Sequence, residues 1–295
     1  MSVDTLLLAF DDEAALAQDL APALDAPLAF IRRHRFPDGE LRLVLPKPLP
    51  ARVLLLRGLQ QPNEKLVELL IAAPTARELG ARRLVLVSPY LAYMRQDMEF
   101  TPGEAVSQRH IARLLAQQFD HVITIDPHLH RIASLDEVMP KGAGVALSAA
   151  PVLGRWIAAQ VPGALLIGPD EESGQWVREA AQAGGLECAV GHKVRHGDHQ
   201  VSLALPELAV QGRAVVLLDD MASTGRTLIG AAQALLARGA SSVDVAVTHA
   251  LFNGDALPDL RAAGVRHVWS SNSVPHASNA VSVVSLLAEA WRRLG

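Results

Sequence analysis

The chain has 295 residues, 50% hydrophobic and 20% charged, and this length accommodates two domains of ordinary size. Its formal net charge of −4, without a basic tail or stripe, gives no reason to expect a nucleic-acid partner. One cysteine excludes an intrachain disulfide, and acidic residues interrupt the apolar N-terminal run too early for a signal peptide or a membrane span, so we expect a soluble cytoplasmic protein with no membrane partner.

Apolar runs typical of buried strands alternate with helical patterns along the whole chain. The predicted strands are Thr5–Phe10, Val53–Leu56, Leu84–Ser88, Val122–Asp126, Leu165–Gly168, Leu186–Val190, Val215–Leu218, Val243–Thr248 and His267–Ser270. The predicted helices are Glu64–Leu79, Glu104–Phe119, Gly174–Ala183, Leu228–Ala237 and Val281–Leu294. This alternation predicts an α/β fold of mainly parallel sheets covered by helices, with ligands at the carboxyl ends of the strands. The Pro/Gly/Ala-rich stretch Met139–Pro151 divides it into domains 1–147 and 148–295.

Two segments of the first half suit a nucleotide. In Arg35–Glu40 (RFPDGE), the ring of Phe36 can stack on adenine, while Asp38 and Glu40 can meet a ribose or an amino group. A plain β-turn is the alternative, because Pro-Asp-Gly is a strong turn signal. Further on, Arg95 can pair with phosphates, and the Gln96 amide can read an adenine edge.

The alternative for that second segment is a solvated loop with a local Arg95–Asp97 ion pair. Glu104 is interpreted separately, as part of a capping box in Thr101–Glu104 that starts the next helix.

Three later strands end in carboxylates. The first is followed by Asp126, His128 and His130, a spacing that also suggests zinc, although no further ligand cluster accompanies it. The second ends in Asp170, before acids that would strengthen a divalent-ion site or favour a helix N-terminus. The third ends in Asp219 and Asp220.

The loop Ser223–Thr227 (STGRT) follows these two carboxylates and leads into a helix. Unpaired backbone N–H groups at a helix N-terminus suit a phosphate, and nearby carboxylates suit sugar hydroxyls or a cation. The pattern therefore predicts a site for a phosphorylated sugar. In the alternative, Ser223 or Thr224 merely caps the helix.

Between the second and third of these strands lies the segment Gly191–His196 (GHKVRH). If it is extended, Lys193 and Arg195 share one face, where two cations can neutralise charge on a phosphoryl group in transfer. A solvated pair of basic residues is the alternative.

In this order, the motifs resemble those of the ribose-phosphate diphosphokinase (PRPP synthetase) family. The resemblance implies two tandem phosphoribosyltransferase-type (type I) domains and transfer of the diphosphoryl group of ATP to the anomeric hydroxyl of ribose 5-phosphate, giving PRPP and AMP, with Mg²⁺ as cofactor. It implies catalytic Lys193 and Arg195 and metal ligands His128 and Asp170. It implies an ATP site formed by Phe36, Asp38, Gly39, Glu40, Arg95 and Gln96. It implies a ribose 5-phosphate site formed by Arg195, Asp219, Asp220, Ser223, Thr224, Gly225, Arg226 and Thr227.

The same resemblance implies a homo-oligomer, a dimer or an assembly of the hexamer-of-dimers type, because an adjoining subunit completes the ATP site in that family. The chain departs from the family pattern at Met98, where a basic residue is common, and at Arg226, where a small residue is common. Two alternatives stay open. A type I phosphoribosyltransferase that consumes PRPP would share the Asp219–Thr227 segment, and a non-catalytic regulatory homologue would share the fold.

Overall fold

The computed structural model describes the chain apart from residues 1–3, 130, 197–199 and 205–209, and for residues 192–196 and 200–204 it describes the backbone alone. Two compact units are present, one comprising Met1–Leu147 with Val284–Gly295 and the other Ser148–Val283. The change of unit therefore falls inside the stretch Met139–Pro151. That stretch is not a linker, since it contains a strand and the start of a helix.

The first unit is a six-stranded parallel sheet flanked by helices, in the order β2-β1-β5-β6-β7-β8. Its strands are β1 (Thr5–Ala9), β2 (Leu28–Phe30), β5 (Arg52–Leu56), β6 (Arg83–Val87), β7 (His121–Ile125) and β8 (Gly144–Leu147). Its helices are α1 (Ala14–Ala23), α2 (Pro62–Glu78), α3 (Ser107–Gln118) and α8 (Val284–Leu294). A separate antiparallel hairpin joins β3 (Arg32–Arg35) and β4 (Leu41–Val44).

The second unit repeats this plan, with a six-stranded sheet in the order β10-β9-β13-β14-β15-β16. Its strands are β9 (Leu165–Gly168), β10 (Glu187–Val190), β13 (Ala214–Ala222), β14 (Ser242–Ala250), β15 (Val265–Ser271) and β16 (Asn279–Val281). Its helices are α4 (Ala150–Gln160), α5 (Gly174–Gly184), α6 (Arg226–Ala237) and α7 (Ala256–Ala262). The hairpin of this unit pairs β11 (His192–His196) with β12 (Gln200–Ala204).

Both cores are built on strands that contain a continuous apolar run, Val53–Leu56 in β5 and Val215–Leu218 in β13. Leu54 and Leu55 in β5 and Val216 and Leu217 in β13 are completely buried. Such runs belong in the middle of a parallel sheet, because helices cover both of its faces. The predicted fold class is confirmed.

Helix α8 packs on the first unit although it follows the second in sequence. Arg52 and Arg83 place their guanidinium groups 4.6 and 5.7 Å from the centre of the Trp291 ring. Arg83 also donates hydrogen bonds to the carbonyl oxygens of Leu294 and Gly295. Cation–π contacts and these C-terminal hydrogen bonds therefore place residues 284–295 in the first unit.

Candidate functional site

The topology of the second unit brings three of the predicted motifs to one edge of its sheet. Strands β10, β9 and β13 are neighbours and parallel, so their carboxyl ends lie side by side. They lead respectively into the hairpin with Lys193 and Arg195, into Asp170, and into the loop Ser223–Thr227. Residues far apart in sequence thus share the position at which parallel α/β sheets bind ligands.

The two carboxylates Asp219 and Asp220 lie within β13, which continues to Ala222, and not beyond the strand end at Leu218 as predicted. Successive side chains of a strand point to opposite faces. The exposure differs accordingly, since Asp219 is half-buried and Asp220 is buried.

Negative charge accumulates around Asp219. Burial raises the pKa of its carboxyl group well above the usual value, and the nearby charges of Asp220 and Asp170 raise it further. Three carboxylates are therefore close together at this edge of the sheet. A bound cation, or the hydroxyl groups of a sugar, would stabilise these carboxylates.

The loop after β13 leads into the N-terminus of α6. Gly225, the residue that precedes the helix, has φ +71°, a left-handed conformation that glycine adopts without steric cost. Because glycine has no side chain, the helix is not capped by the residue at that position. The Oγ of Ser223 instead accepts a hydrogen bond from the amide of Asn253 at 3.1 Å. Thr224, Arg226 and Thr227 are exposed.

Asp170 begins the turn into α5 next to this loop. Its Oδ1 accepts a hydrogen bond from the backbone N–H of Ser173 at 3.3 Å, and the Ser173 hydroxyl donates to the Asp170 carbonyl at 2.6 Å. The turn holds Asp170 at the end of β9, half-buried. It thus stands beside the end of β13, which pairs with β9.

The catalytic candidates lie in the hairpin that follows β10. Lys193 pairs with Leu203, and Arg195 pairs with Val201 across the antiparallel ladder. The backbone is therefore extended, as the prediction required, and the side chains of both residues lie outside the described part of the chain. Gly191 ties the base of the hairpin to β9 through a 2.8 Å hydrogen bond from its N–H to the Gly168 carbonyl.

In the first unit, Phe36–Glu40 forms the tip of the β3–β4 hairpin. The N–H of Gly39 donates to the Phe36 carbonyl at 2.9 Å, so the segment is the β-turn that Pro-Asp-Gly predicts. The turn nevertheless presents the side chains required of a nucleotide loop, because Phe36, Asp38 and Glu40 are all exposed. Phe36 is 38% exposed, and its ring lies beside His34 and Arg42 of the same hairpin.

Arg95 and Gln96 lie in the long loop between β6 and α3. Arg95 is exposed, whereas the Gln96 amide donates to the carbonyl of Met98 and to the carboxylate of Glu104 at 3.1 and 3.0 Å. Both N–H bonds of Gln96 are therefore used within the chain. Asp97 pairs with Arg131, a partner that the sequence did not indicate.

The interpretation of Glu104 as part of a helix capping box is wrong. Helix α3 begins at Ser107, and Glu104 instead accepts hydrogen bonds from the Phe100 N–H and from Gln96. These bonds, led by the one from Phe100, lower the pKa of Glu104. Glu104 thus binds residues of the loop between β6 and α3 and does not lie in the first turn of the helix.

His128 follows β7, the strand that pairs with β6 in the sheet of the first unit, and it is half-buried. Two residues before it, Asp126 has φ +34°, and Tyr93, two residues before Arg95, has φ +64°. Non-glycine residues adopt this conformation at a cost and are enriched at functional sites. His128 belongs to the first unit and Asp170 to the second. His130 lies outside the described residues.

Sequence reasoning missed a cluster of buried charges at the ends of β1 and β5. Arg57, with no exposed surface, pairs with Asp12 at 2.6 Å, with Glu13 at 3.6 Å and with the fully buried Glu68. Glu68 also binds Arg33 at 2.5 Å. The signal available in the sequence was the presence of charged residues directly after two strongly apolar strands.

Within the described residues, we find no helix long and apolar enough to cross a membrane. The same residues contain no group of three or more His, Cys, Asp and Glu side chains arranged to hold a metal ion.

Residues 5–118 match the family described as the N-terminal domain of ribose phosphate pyrophosphokinase, and residues 205–295 match the phosphoribosyl synthetase-associated domain. The ribose-phosphate pyrophosphokinase of Methanopyrus kandleri is 37% identical over 292 residues, covering 98% of this chain and 99% of that protein. The protein of the same name from Methanothermobacter thermautotrophicus is 32% identical over 279 residues, covering 94% and 96%. The crystal structure of phosphoribosylpyrophosphate synthetase from Mycobacterium smegmatis matches with a TM-score of 0.84 at 25% identity, covering 99% of this chain and 98% of that one.

Two mainly parallel sheets flanked by helices, with an acidic strand end and a glycine-containing loop before a helix, define an α/β protein built from phosphoribosyltransferase-like domains. The chain belongs to the ribose-phosphate pyrophosphokinase family. The predicted family is therefore confirmed.

Proposed function

We propose that the chain is a ribose-phosphate diphosphokinase. The observation that carries the proposal is its match to the Methanopyrus kandleri enzyme over nearly the full length of both proteins, which includes the first unit as well as the sugar-phosphate loop. A phosphoribosyltransferase that consumes PRPP has no need of the first unit. The anomeric oxygen of ribose 5-phosphate attacks the β-phosphorus of ATP, the bond between that phosphorus and the α–β bridging oxygen breaks, and AMP leaves.

The half-site for the sugar is assigned to the carboxyl ends of β9 and β13 in the second unit. Asp219 holds the ribose hydroxyls with Asp220 behind it, and the residues of Ser223–Thr227 surround the 5-phosphate at the N-terminus of α6. Support comes from the half-buried Asp219 carboxylate and from Gly225, which leaves the first turn of α6 without a side-chain cap at its N-terminal position. Lys193 and Arg195 neutralise the charge that develops on the diphosphoryl group in transfer.

The nucleotide half-site is assigned to the first unit, where Arg95 contacts the phosphates and Gln96, with its carbonyl oxygen, contacts the base. Phe36 stacks on adenine, and the residues of Asp38–Glu40 lie beside the nucleoside. Exposure of Phe36 at a hairpin tip supports this assignment.

Mg²⁺ fits the residues present. Asp219 lies near the carboxylates of Asp220 and Asp170, and burial, followed by these two negative charges, raises the pKa of its carboxyl group. Mg²⁺ keeps several waters and binds through one or two carboxylates together with substrate phosphates, so no group of three protein ligands is needed in advance. When bound, Mg²⁺ would neutralise phosphate charge, and His128 in the first unit and Asp170 in the second are each proposed as a metal ligand.

We further propose that the enzyme is cytoplasmic and works as a homo-oligomer in which the Phe36 hairpin serves a neighbouring subunit. Support for the shared site comes from exposed apolar side chains on the hairpin and on α2, namely Phe36 and Val44 on the first and Val67 and Leu70 on the second. Inactive Phe36→Ala and Lys193→Ala proteins, mixed and allowed to exchange subunits, should recover partial activity. A strictly monomeric active enzyme in light scattering would contradict the shared site.

The activity itself is tested by measuring AMP formation from ATP and Mg²⁺ with and without ribose 5-phosphate. We expect AMP and PRPP in equal amounts and only when the sugar is present. Consumption of added PRPP with a nucleobase, without AMP formation from ATP, would identify a phosphoribosyltransferase instead. No reaction in either assay would identify a regulatory homologue.

A further inference from the structure

The loop that carries Arg95 and Gln96 contains neither helix nor strand between the end of β6 at Val87 and the start of α3 at Ser107. A connection of this length is usually functional, and its geometry has to be set by contacts from outside the loop. The residues that provide these contacts therefore determine where Arg95 and Gln96 stand.

The first contact comes from Gln108, in the first turn of α3. Its backbone N–H donates to the Gln96 carbonyl, and its side-chain amide donates to the Met94 carbonyl, both at 3.2 Å. Gln108 is 1% exposed, so the surrounding protein fixes it. These two bonds hold the backbone on either side of Arg95.

The second contact comes from the loop after the neighbouring strand, β7. Arg131 donates from Nη1 to Oδ1 of Asp97 at 2.7 Å, and the Asp97 side chain has no exposed surface. Oδ2 of Asp97 is also buried and has no hydrogen-bond partner among the described residues. The negative charge of Asp97 thus depends on Arg131, since a buried carboxylate without a cation is strongly destabilising.

Arg131 is itself held in place. Its guanidinium lies 5.3 Å from the centre of the Phe100 ring, which belongs to the same long loop. Arg131 is three residues after His128, and Asp97 is one residue after Gln96. The ion pair therefore joins the two loops to which the proposed function assigns the nucleotide and metal contacts.

We propose that Arg131 is a positioning residue of the nucleotide site, which acts by holding Asp97 and so fixes the loop of Arg95 and Gln96 against the loop of His128. This inference rests on the proposed function. It assigns to Arg131 no contact with ATP.

The test compares Arg131→Gln, Asp97→Asn and the double variant by titration calorimetry with α,β-methylene-ATP and by steady-state kinetics. We expect each single change to weaken analogue binding and raise the KM for ATP about tenfold, with the KM for ribose 5-phosphate within about twofold. The double variant should be no worse than either single one, because both remove the same interaction. Arg131→Lys should recover part of the affinity.

Arg266→Gln provides the matched control. Arg266 is 47% exposed and binds the fully buried Asp244 at 2.6 Å, as the 42% exposed Arg131 binds Asp97, but it lies in β15 of the second unit. A similar loss of thermal stability without a change in ATP affinity is expected for this variant. Equal effects of Arg131→Gln and Arg266→Gln on ATP affinity would overturn the positioning role.

If Arg131→Gln weakens binding while Asp97→Asn does not, Arg131 contacts the nucleotide directly and the proposal is wrong. Unchanged analogue binding in both variants would also overturn it. Absence of AMP formation by the unaltered protein would instead remove the proposed function.

Discussion

The two units share one strand order but differ in what occupies the carboxyl ends of their equivalent strands. In the second unit, the ends of β9 and β13 carry Asp170, Asp219 and Asp220, whose charges repel one another. In the first unit, the ends of β1 and β5 carry the acids Asp12 and Glu13, but here Arg57 neutralises them. Among the side chains that the structure describes, the acids of the first unit thus lie around a buried arginine, whereas the acids of the second unit raise the pKa of Asp219.

The turns before the next helix, α2 in the first unit and α6 in the second, also differ. Before α6, the left-handed position is Gly225, whereas before α2 it is Gln61, with φ +53°. Pro62 opens α2 and has no N–H to offer a phosphate, while Arg226 opens α6 and has one. The two units thus differ in the residue that opens the helix, and a backbone N–H is present at that position in α6 and absent in α2.

The largest expected effect concerns the cluster of buried charges around Arg57 in the first unit. Arg57→Met removes the buried cation shared by Glu13 and Glu68, although Lys65 remains near Glu13 and Arg33 near Glu68, and we expect a loss of about 3–5 kcal/mol in the free energy of unfolding. Urea denaturation measures it, provided that unfolding is two-state. Arg57→Met with Glu68→Gln should recover part of the loss. The KM for ribose 5-phosphate should stay unchanged in folded Arg57→Met protein, and a large change would show that the first unit also binds the sugar.

The next largest expected effect is a loss of catalysis on substitution in the second unit. Lys193→Ala removes a cation that we propose acts mainly in the transition state, so turnover should fall by orders of magnitude, about 3 kcal/mol or more, while ATP affinity stays within a few-fold. Arg32→Ala, on the equivalent hairpin of the first unit, serves as the control and should retain near-normal turnover. Near-normal turnover of Lys193→Ala would refute the catalytic assignment.

Sugar binding should respond less strongly. Asp219→Asn and Thr224→Ala should each raise the KM for ribose 5-phosphate about tenfold, as expected for the loss of one charged or polar contact, and leave ATP binding largely unaffected. Isothermal titration with each substrate separates the two effects. Loss of ATP binding with normal sugar binding would mean that the two half-sites are exchanged.

The smallest effect is on stability and depends on pH. A raised acid pKa means that folded Asp219 holds its proton more tightly than the unfolded chain does. Stability therefore falls as the pH rises from the ordinary value of 3.8 to the raised pKa, and it remains lower above that range.

Asp219→Asn should then raise the melting temperature at neutral pH by about 2–4 °C in the absence of substrate and Mg²⁺. This advantage should disappear near the ordinary pKa of an aspartate, where the unfolded chain is protonated as well. A lower melting temperature of the variant at neutral pH would contradict the raised pKa of Asp219.

Much of the fold was predictable because strand-forming runs such as Val215–Leu218 are apolar throughout and need no tertiary information to be recognised. Short edge strands were missed. Strand β2 has three residues and β16 has three, and the β3 strand of the hairpin is mostly charged, so none of them has a strong hydrophobic pattern. Helix α3 began later than predicted, since Glu104 binds Gln96 and the backbone of Phe100.

The sequence by itself determined the family, the α/β class and the candidate residues. These follow from the order of motifs and of strand and helix patterns along the chain, which can be recognised without the three-dimensional structure. Only the tertiary structure decided which charges meet. Arg57 pairs with Glu13 and Glu68, which are 44 and 11 residues away in sequence. Arg131 pairs with Asp97, which is 34 residues away. Pairing of buried charges depends on which strand ends are neighbours in the sheet, and that order, unlike hydrophobic periodicity, leaves no local mark on the sequence.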